Sequence, residues 1–314
     1  MKNRPLLIVG AVLLSAAFIF TAVLFRRPAA GPAVGAHKLK IVTTLFPLYD
    51  MARAISAGKA DVTLLLPPGV EPHSFEPKPG DMVRINEADI FIYTGGSMEP
   101  WAEAIISSVR NKDLLTVNSG LGVKFIRGTG ADPDEPADAP DPHFWLDLDN
   151  ASVMARNIAS ALETRDPGDR DTYRRAGTAY NAKLAALDAA YRTGLSSCRT
   201  REIVYAGHYA FGYMARRYGL KYLAAQGLAP DSEPTARDLV ALVERVKKDK
   251  VKFVFYEELT SPRIAEAITG ETGAGMLLLN AAHNVARDQV ERGVSFFDIL
   301  QSDLDNLKEG LECR

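Results

Sequence analysis

The sequence predicts an α/β protein of two lobes, each a mainly parallel sheet flanked by helices, joined by a single long backbone helix. Three observations predict it. Short apolar strands alternate with helical runs in both halves of the chain, a pattern that requires parallel strands with helical crossovers. The alternation stops in the middle, where Tyr173, Ala176, Tyr180, Leu184, Leu187 and Tyr191 recur at spacings of three and four, the period of one helix face. The order then starts again: Lys40-Ile41-Val42 is echoed by Glu202-Ile203-Val204, Met51-Ala52-Arg53 by Met214-Ala215-Arg216, and Pro72-His73-Ser74 by Pro230-Asp231-Ser232.

The first 37 residues stand apart. Lys2 and Arg4 precede an uncharged run from Pro5 to Phe25, and Arg26, Arg27 and a Pro/Ala/Gly stretch follow. This is the pattern of a secretory signal. The run is also long enough to span a bilayer, so an uncleaved signal-anchor stays open. No Cys lies near residue 30, which argues against a lipid anchor. The bulk of the chain is expected to be periplasmic or otherwise extracytoplasmic.

From there the elements follow in order. Lys38–Thr44 reads as a strand, 48–57 as a helix, and Asp61–Leu66 as a strand stopped by Pro67-Pro68-Gly69. Residues 79–88 read as helix, 89–93 as strand, 99–109 as helix and 114–117 as strand. A helix over 151–163 breaks at Asp166-Pro167-Gly168, and the long helix spans 169–195. Tyr173, Tyr180 and Tyr191 are expected to serve its packing. The second series is strand 202–206, helix 210–218, strand 220–224, helix 235–249, strand 251–256, helix 261–269, strand 276–279 and helix 296–311. The expected organisation is a signal peptide or signal-anchor over 1–37, an N-terminal lobe over 38–150, a helical region over 151–197 and a C-terminal lobe over 198–314.

Composition narrows the function. With 37 basic and 39 acidic residues the net charge is −2, against a nucleic-acid binder that works by broad positive charge. Two cysteines exclude a four-cysteine metal site. In an oxidising compartment, Cys198 before a strand and Cys313 at the end of the last helix are expected to form a bridge.

Of five histidines, His37 lies at the signal junction and the other four lie in loops. His73 and His143 fall in the first half, His208 and His283 in the second, each following a strand or in a connection. Loops at the carboxyl ends of parallel strands line the ligand crevice of such folds. Four neutral imidazoles meeting there would suit zinc, which takes tetrahedral nitrogen ligands.

At this point the chain resembles the metal-binding solute-binding proteins of bacterial zinc and manganese ABC transporters, the cluster A-I class. The resemblance covers nearly all of residues 38–314. It rests on Val42-Thr43-Thr44-Leu45-Phe46-Pro47, on Leu66-Pro67-Pro68-Gly69-Val70-Glu71-Pro72-His73 with Phe75-Glu76-Pro77, on Asp141-Pro142-His143-Phe144-Trp145-Leu146-Asp147, and on Gly207-His208 before Tyr209-Ala210-Phe211-Gly212-Tyr213. It implies capture of a divalent transition metal and delivery to a membrane ABC permease, by a monomer that is not an enzyme and binds no nucleic acid. The implied ligands are His73, His143 and His208. His at the third position is the zinc pattern, Glu the manganese pattern; Zn2+ is the expected ion, with Mn2+ or Fe2+ as alternatives.

The chain departs from the family at the fourth ligand, an Asp or Glu in other members or else water. The matching segment, Leu279-Asn280-Ala281-Ala282-His283-Asn284, holds no carboxylate. His283 is the expected fourth ligand; Asn280, Glu257, Glu258, Asp298 or water are the alternatives, and Glu257 or Glu258 could instead orient a ligand. Trp101 and Trp145 are expected in the core or the site wall. Asp147 and Asp149 are read as candidates to orient His143, while Asp149 and Asn150 also read as caps of the next helix. The acidic, proline-rich stretch Gly128–Pro142 is expected to be a solvated loop. Acid should release the metal as imidazoles protonate near pH 6.5. Two other function classes remain at this stage. One is a zinc hydrolase, against which no His-Glu-x-x-His helix and no clear general base is found. The other is a surface adhesion protein stabilised by zinc.

Overall fold

The computed structural model describes residues 38–95, 98–127, 140–228 and 234–314. The signal or signal-anchor over 1–37, most of the acidic stretch before His143, and Pro230-Asp231-Ser232 lie outside the described residues. Contacts divide the chain at Lys38, and Leu39–Arg314 form one unit.

Among the described residues, eight strands form two sheets. The first holds β1 (Leu39–Thr43), β2 (Ala60–Leu64), β3 (Ile90–Tyr93) and β4 (Leu115–Asn118), in the order β2-β1-β3-β4. The second holds β5 (Glu202–Ala206), β6 (Lys221–Ala224), β7 (Phe253–Glu257) and β8 (Gly275–Leu279), in the order β6-β5-β7-β8. Every pairing is parallel. The two sheets therefore share one topology, as the sequence echoes imply.

Helices cover both faces of each sheet. In the first half these are α1 (Phe46–Ser56), α2 (Pro79–Asn86) and α3 (Ala102–Ser108). Between the sheets run α4 (Leu148–Arg165) and α5 (Arg170–Gly194), separated by a 3-10 turn at Pro167–Asp169. In the second half they are α6 (Gly212–Tyr218), α7 (Ala236–Asp249), α8 (Arg263–Thr272), α9 (Arg287–Glu291) and α10 (Phe296–Gly310).

Burial explains the architecture. On the outer face of the first sheet, Val42, Phe91, Ile85 and Ile105 form a separate apolar cluster, and Val204, Val254, Leu242 and Ile268 do the same in the second half. The inner faces share one cluster that runs from Ile41 and Leu48 through Leu184 to Leu300 and Leu311. Helix α5, about 37 Å long at 1.5 Å per residue, lies along this shared core. It buries Tyr173, Gly177, Tyr180, Leu184, Leu187 and Tyr191. The tyrosines also bond at their polar tips. Tyr180 donates to Asp50 Oδ2 on α1 (3.1 Å), and Tyr191 donates to the Leu300 carbonyl on α10 (2.6 Å). One rigid helix thus grips both halves. Burial pushes the Asp50 carboxyl up, with Tyr180 opposing it.

Several boundaries differ from the sequence expectation, each for a local reason. Helix α1 starts at Phe46 because Pro47 occupies a first-turn position, where its missing N–H costs nothing. Helix α3 starts only at Ala102; Glu99 is instead buried in the preceding loop, where its Oε2 accepts from the Thr94 N–H. Helix α4 starts at Leu148, capped by Asp147, which accepts from the Asp149 N–H. Asn150 lies inside that helix and pairs with the Lys124 backbone. Asp147 and Asp149 bind Arg217, so neither orients His143. The short helix α9 carried no periodic signal.

Cys198 and Cys313 are disulfide-bonded across 115 residues. Backbone pairing continues beside the bridge, from Arg199 N to Glu312 O and from Thr200 N to Leu311 O. Closing so long a loop is worth about 4–5 kcal/mol in the chain-entropy model. Among the described residues no helix is long and apolar enough to cross a membrane.

Candidate metal centre

Four connections bring the histidines together. His208 follows β5 directly. His73 lies on the irregular loop after β2, His143 opens a 3-10 turn (Phe144–Leu146) before α4, and His283 lies in the turn after β8. His143, His208 and His283 are buried, and His73 is half-buried.

The Nε2 atoms of three rings converge. His143 Nε2 lies 3.3 Å from His73 Nε2 and 3.1 Å from His208 Nε2. One nitrogen from each of these three fits within 4.8 Å of the others. Ligands at about 2.0–2.1 Å from a tetrahedral zinc ion stand roughly 3.3–3.4 Å apart, close to what these rings show. The His283 ring stands beside the triad, with its centroid 5.8 Å from that of His208 and 6.5 Å from that of His73.

Carboxylates fix two of the rings from behind. Asp141 Oδ1 accepts from both the backbone N–H and the Nδ1 of His143, each at 2.9 Å. Glu257, the last residue of β7, holds His208 twice: Oε2 takes its backbone N–H (3.0 Å) and Oε1 its Nδ1 (2.6 Å). A ring that donates through Nδ1 keeps its lone pair on Nε2. Both clamped rings therefore aim lone pairs at the same point, an arrangement that is repulsive until a cation lies between them.

Two glycines make room for the clamps. A Cβ on Gly207 would come within 2.5 Å of Glu257 Oε2, and one on Gly212 within 2.9 Å of Asp141 Oδ2. The glycines of Gly207-His208 and Phe211-Gly212 are thus required by close approach, a reason the sequence alone does not expose.

His73 is held differently. Glu71 accepts from its backbone N–H (3.0 Å) and from Ser74, which shapes the loop but does not touch the ring. His283 follows Ala282, whose φ of 57° is left-handed, a costly conformation for alanine. The turn is pinned by Asn280 Oδ1 accepting from Ala282 N (2.7 Å) and by Glu258 Oε1 accepting from Ala281 N (3.0 Å).

The His283 turn also clasps the His73 loop. Asn284 Nδ2 donates to the carbonyls of Pro67 (2.8 Å) and Val70 (2.7 Å), and Gly69 N donates to Val285 O (2.9 Å). Phe46 N donates to His283 O, and Trp145 Nε1 to Ala281 O. Trp145 is the site wall: its ring meets that of His143 edge-on at 5.6 Å. Trp101 instead packs on Phe75.

The other expected donors are engaged elsewhere. Asp298 accepts from Ser295 at the start of α10. Asn280 spends its side-chain oxygen within its turn, and its N–H goes to Asp303 Oδ1. In the sequence Asp141 stood in the Asp141-Pro142-His143 motif and in the acidic stretch, without a role of its own; the Asp-x-His spacing was the available signal. Asn284 carried none.

Electrostatics bears on the acid-release expectation. Burial first, then the nearby His208, pushes His73 down to about 3. Burial and the neighbouring imidazoles hold His143 and His283 well below the ordinary histidine range. These three rings are therefore neutral far below pH 6.5. Burial, and next Glu257, pushes the Glu258 carboxyl well up.

With this geometry in place, the comparisons are specific. The family model described as zinc-uptake complex component A, periplasmic, matches residues 41–310. The high-affinity zinc uptake system protein ZnuA of Bacillus subtilis is 33% identical over 310 residues, covering 96% of this chain and 97% of its own length. The zinc-binding lipoprotein AdcA of Streptococcus pneumoniae is 32% identical over 279 residues, and the match spans 56% of its length. The crystal structure of the Zn(II)-bound ZnuA-like domain of that AdcA superposes with a TM-score of 0.76 at 32% identity, covering 88% of this chain and 99% of that one.

The chain belongs to the periplasmic zinc-uptake component A family. It is an extracytoplasmic solute-binding protein of ABC transport, not an enzyme.

Proposed function

We propose that this family member captures one zinc ion between its two halves and delivers it to an ABC permease for import. In this reading His73, His143, His208 and His283 are the ligands. Residues 38–150 and 198–314 act as the two jaws and 151–197 as the spacer. The chain works as a monomer.

The observation that carries the reading is the convergence of three imidazole Nε2 atoms at 3.1–3.3 Å, with two rings clamped through Nδ1. Nitrogen donors favour zinc over manganese, which prefers carboxylate oxygen. The same clamps weigh against hydrolysis, because Asp141 and Glu257 are committed to the rings and neither stands free as a general base. The ion is cargo, and the protein supplies a set of imidazole donors already in place.

The test is a competitive titration of metal-stripped residues 38–314 with Zn2+, Mn2+ and Fe2+ at pH 7.4 against a chelating indicator. One tight zinc site per chain, with manganese and iron weaker by orders of magnitude, is the expected result. Equal affinity for manganese and zinc would refute the zinc assignment.

A further inference from the structure

His143 and His208 each have a carboxylate behind the ring, and each carboxylate also anchors backbone. His283 has a carboxylate in the corresponding place. Glu258 Oε1 lies 3.7 Å from His283 Nδ1, beyond hydrogen-bond length. Both groups are buried, Glu258 at 8% exposure and His283 at 3%. Among the described residues, neither Glu258 Oε2 nor His283 Nδ1 has a hydrogen-bond partner. Two buried polar atoms without partners, on side chains whose carboxylate and imidazole already approach within 3.7 Å, are costly as they stand.

We propose that Glu258 is the positioning residue for His283: it accepts the Nδ1–H and thereby turns Nε2 toward the other three imidazoles. This rests on the four-imidazole reading above and deepens it. Glu258 is already fixed by Ala281 N at 3.0 Å, in the turn that carries His283. That bond ties the carboxylate to the loop it would orient, as the His143 backbone bond ties Asp141. Adjacent glutamates at the end of β7 thus serve two rings, Glu257 serving His208 and Glu258 serving His283.

The experiment compares wild type, Glu258→Gln, His283→Ala and the double variant. Each is read by zinc affinity and by the visible ligand-field spectrum after Co2+ substitution. Glu258→Gln keeps an oxygen for Ala281 N–H but replaces the second oxygen, which would accept the Nδ1–H, with an NH2 donor. It is expected to weaken zinc roughly 10- to 100-fold and to change the cobalt spectrum in the direction of His283→Ala. The double variant is expected to be no weaker than His283→Ala alone, because Glu258 acts through that ring. Thermal melting of the metal-free proteins separates folding from binding, and Glu258→Asp provides a second variant if Glu258→Gln does not fold. Unchanged affinity and spectrum in Glu258→Gln, or losses that add in the double variant, would overturn the positioning role while leaving the four-imidazole site intact. An unchanged His283→Ala would instead overturn the four-imidazole reading, and the positioning role with it.

Discussion

The first sheet runs β2-β1-β3-β4 and the second β6-β5-β7-β8, so β5 corresponds to β1 and β7 to β3. Their histidines correspond only in part. His208 follows β5, whereas β1 leads into Leu45 and Phe46, which are buried in the core. His73 follows β2, and His143 comes long after β4. The strand ends differ in the same way. β7 finishes in Glu257, which clamps a histidine; β3 finishes in Tyr93, and the nearby Glu99 turns back on Thr94 instead. A duplicated fold thus provides a crevice ringed by loops. The site takes donors from whichever loops reach the centre.

The comparison also separates two ways of holding an imidazole. His143 and His208 are clamped at ring and backbone by one carboxylate each. His73 and His283 depend on their loops, which Asn284 and Gly69 tie together across the halves. The largest expected effect is removal of a clamped ring. His208→Ala or His143→Ala should weaken zinc by on the order of 1,000-fold, about 4 kcal/mol, in an indicator titration. A loss under tenfold would mean the clamped pair is not the core of the site.

Removing a clamp while keeping its ring comes next. Glu257→Gln or Asp141→Asn should cost roughly 10- to 100-fold in zinc affinity. If both are silent, the contrast between clamped and loop-held rings has no energetic content.

Loosening the loop clasp is expected to do least. Asn284→Ala removes two bonds to the His73 loop and should raise the zinc dissociation rate roughly three- to tenfold, about 1 kcal/mol for a typical net hydrogen bond, in stopped-flow exchange with a chelator. An unchanged rate would show that His73 does not depend on its partner loop.

Acid tests both kinds of ring together. His73 is pushed down to about 3 in the folded protein, against 6.5 as its ordinary value. Between those limits the unfolded chain takes up a proton that the folded chain refuses. Stability of the metal-free protein should therefore fall as pH drops below 6.5, by thermal melting. Zinc should nonetheless stay bound through pH 6.5, since burial keeps protons off His73, His143 and His283. Release with a midpoint near 6.5 would contradict the burial argument.

Much of this was legible in the sequence. Strand and helix alternation gave both sheets, and the three-and-four spacing of Tyr173 to Tyr191 gave the long helix, because burial imposes a period. The four histidines stood out because loop histidines are few and the surrounding motifs are specific. The clamps were less visible. Asp141 looked like one acid among several, and Glu257 could not be told from Glu258, since only the β5–β7 pairing shows which of them faces His208. The short α9 and the Asn284 clasp depend on contacts between distant segments, which leave no local pattern.

The most direct test of the central claim is X-ray absorption at the zinc edge of the loaded protein. Four nitrogen neighbours at about 2.0 Å, with outer scattering from four imidazole rings, are expected. Three rings plus an oxygen neighbour would contradict the claim, returning the fourth position to water or a carboxylate.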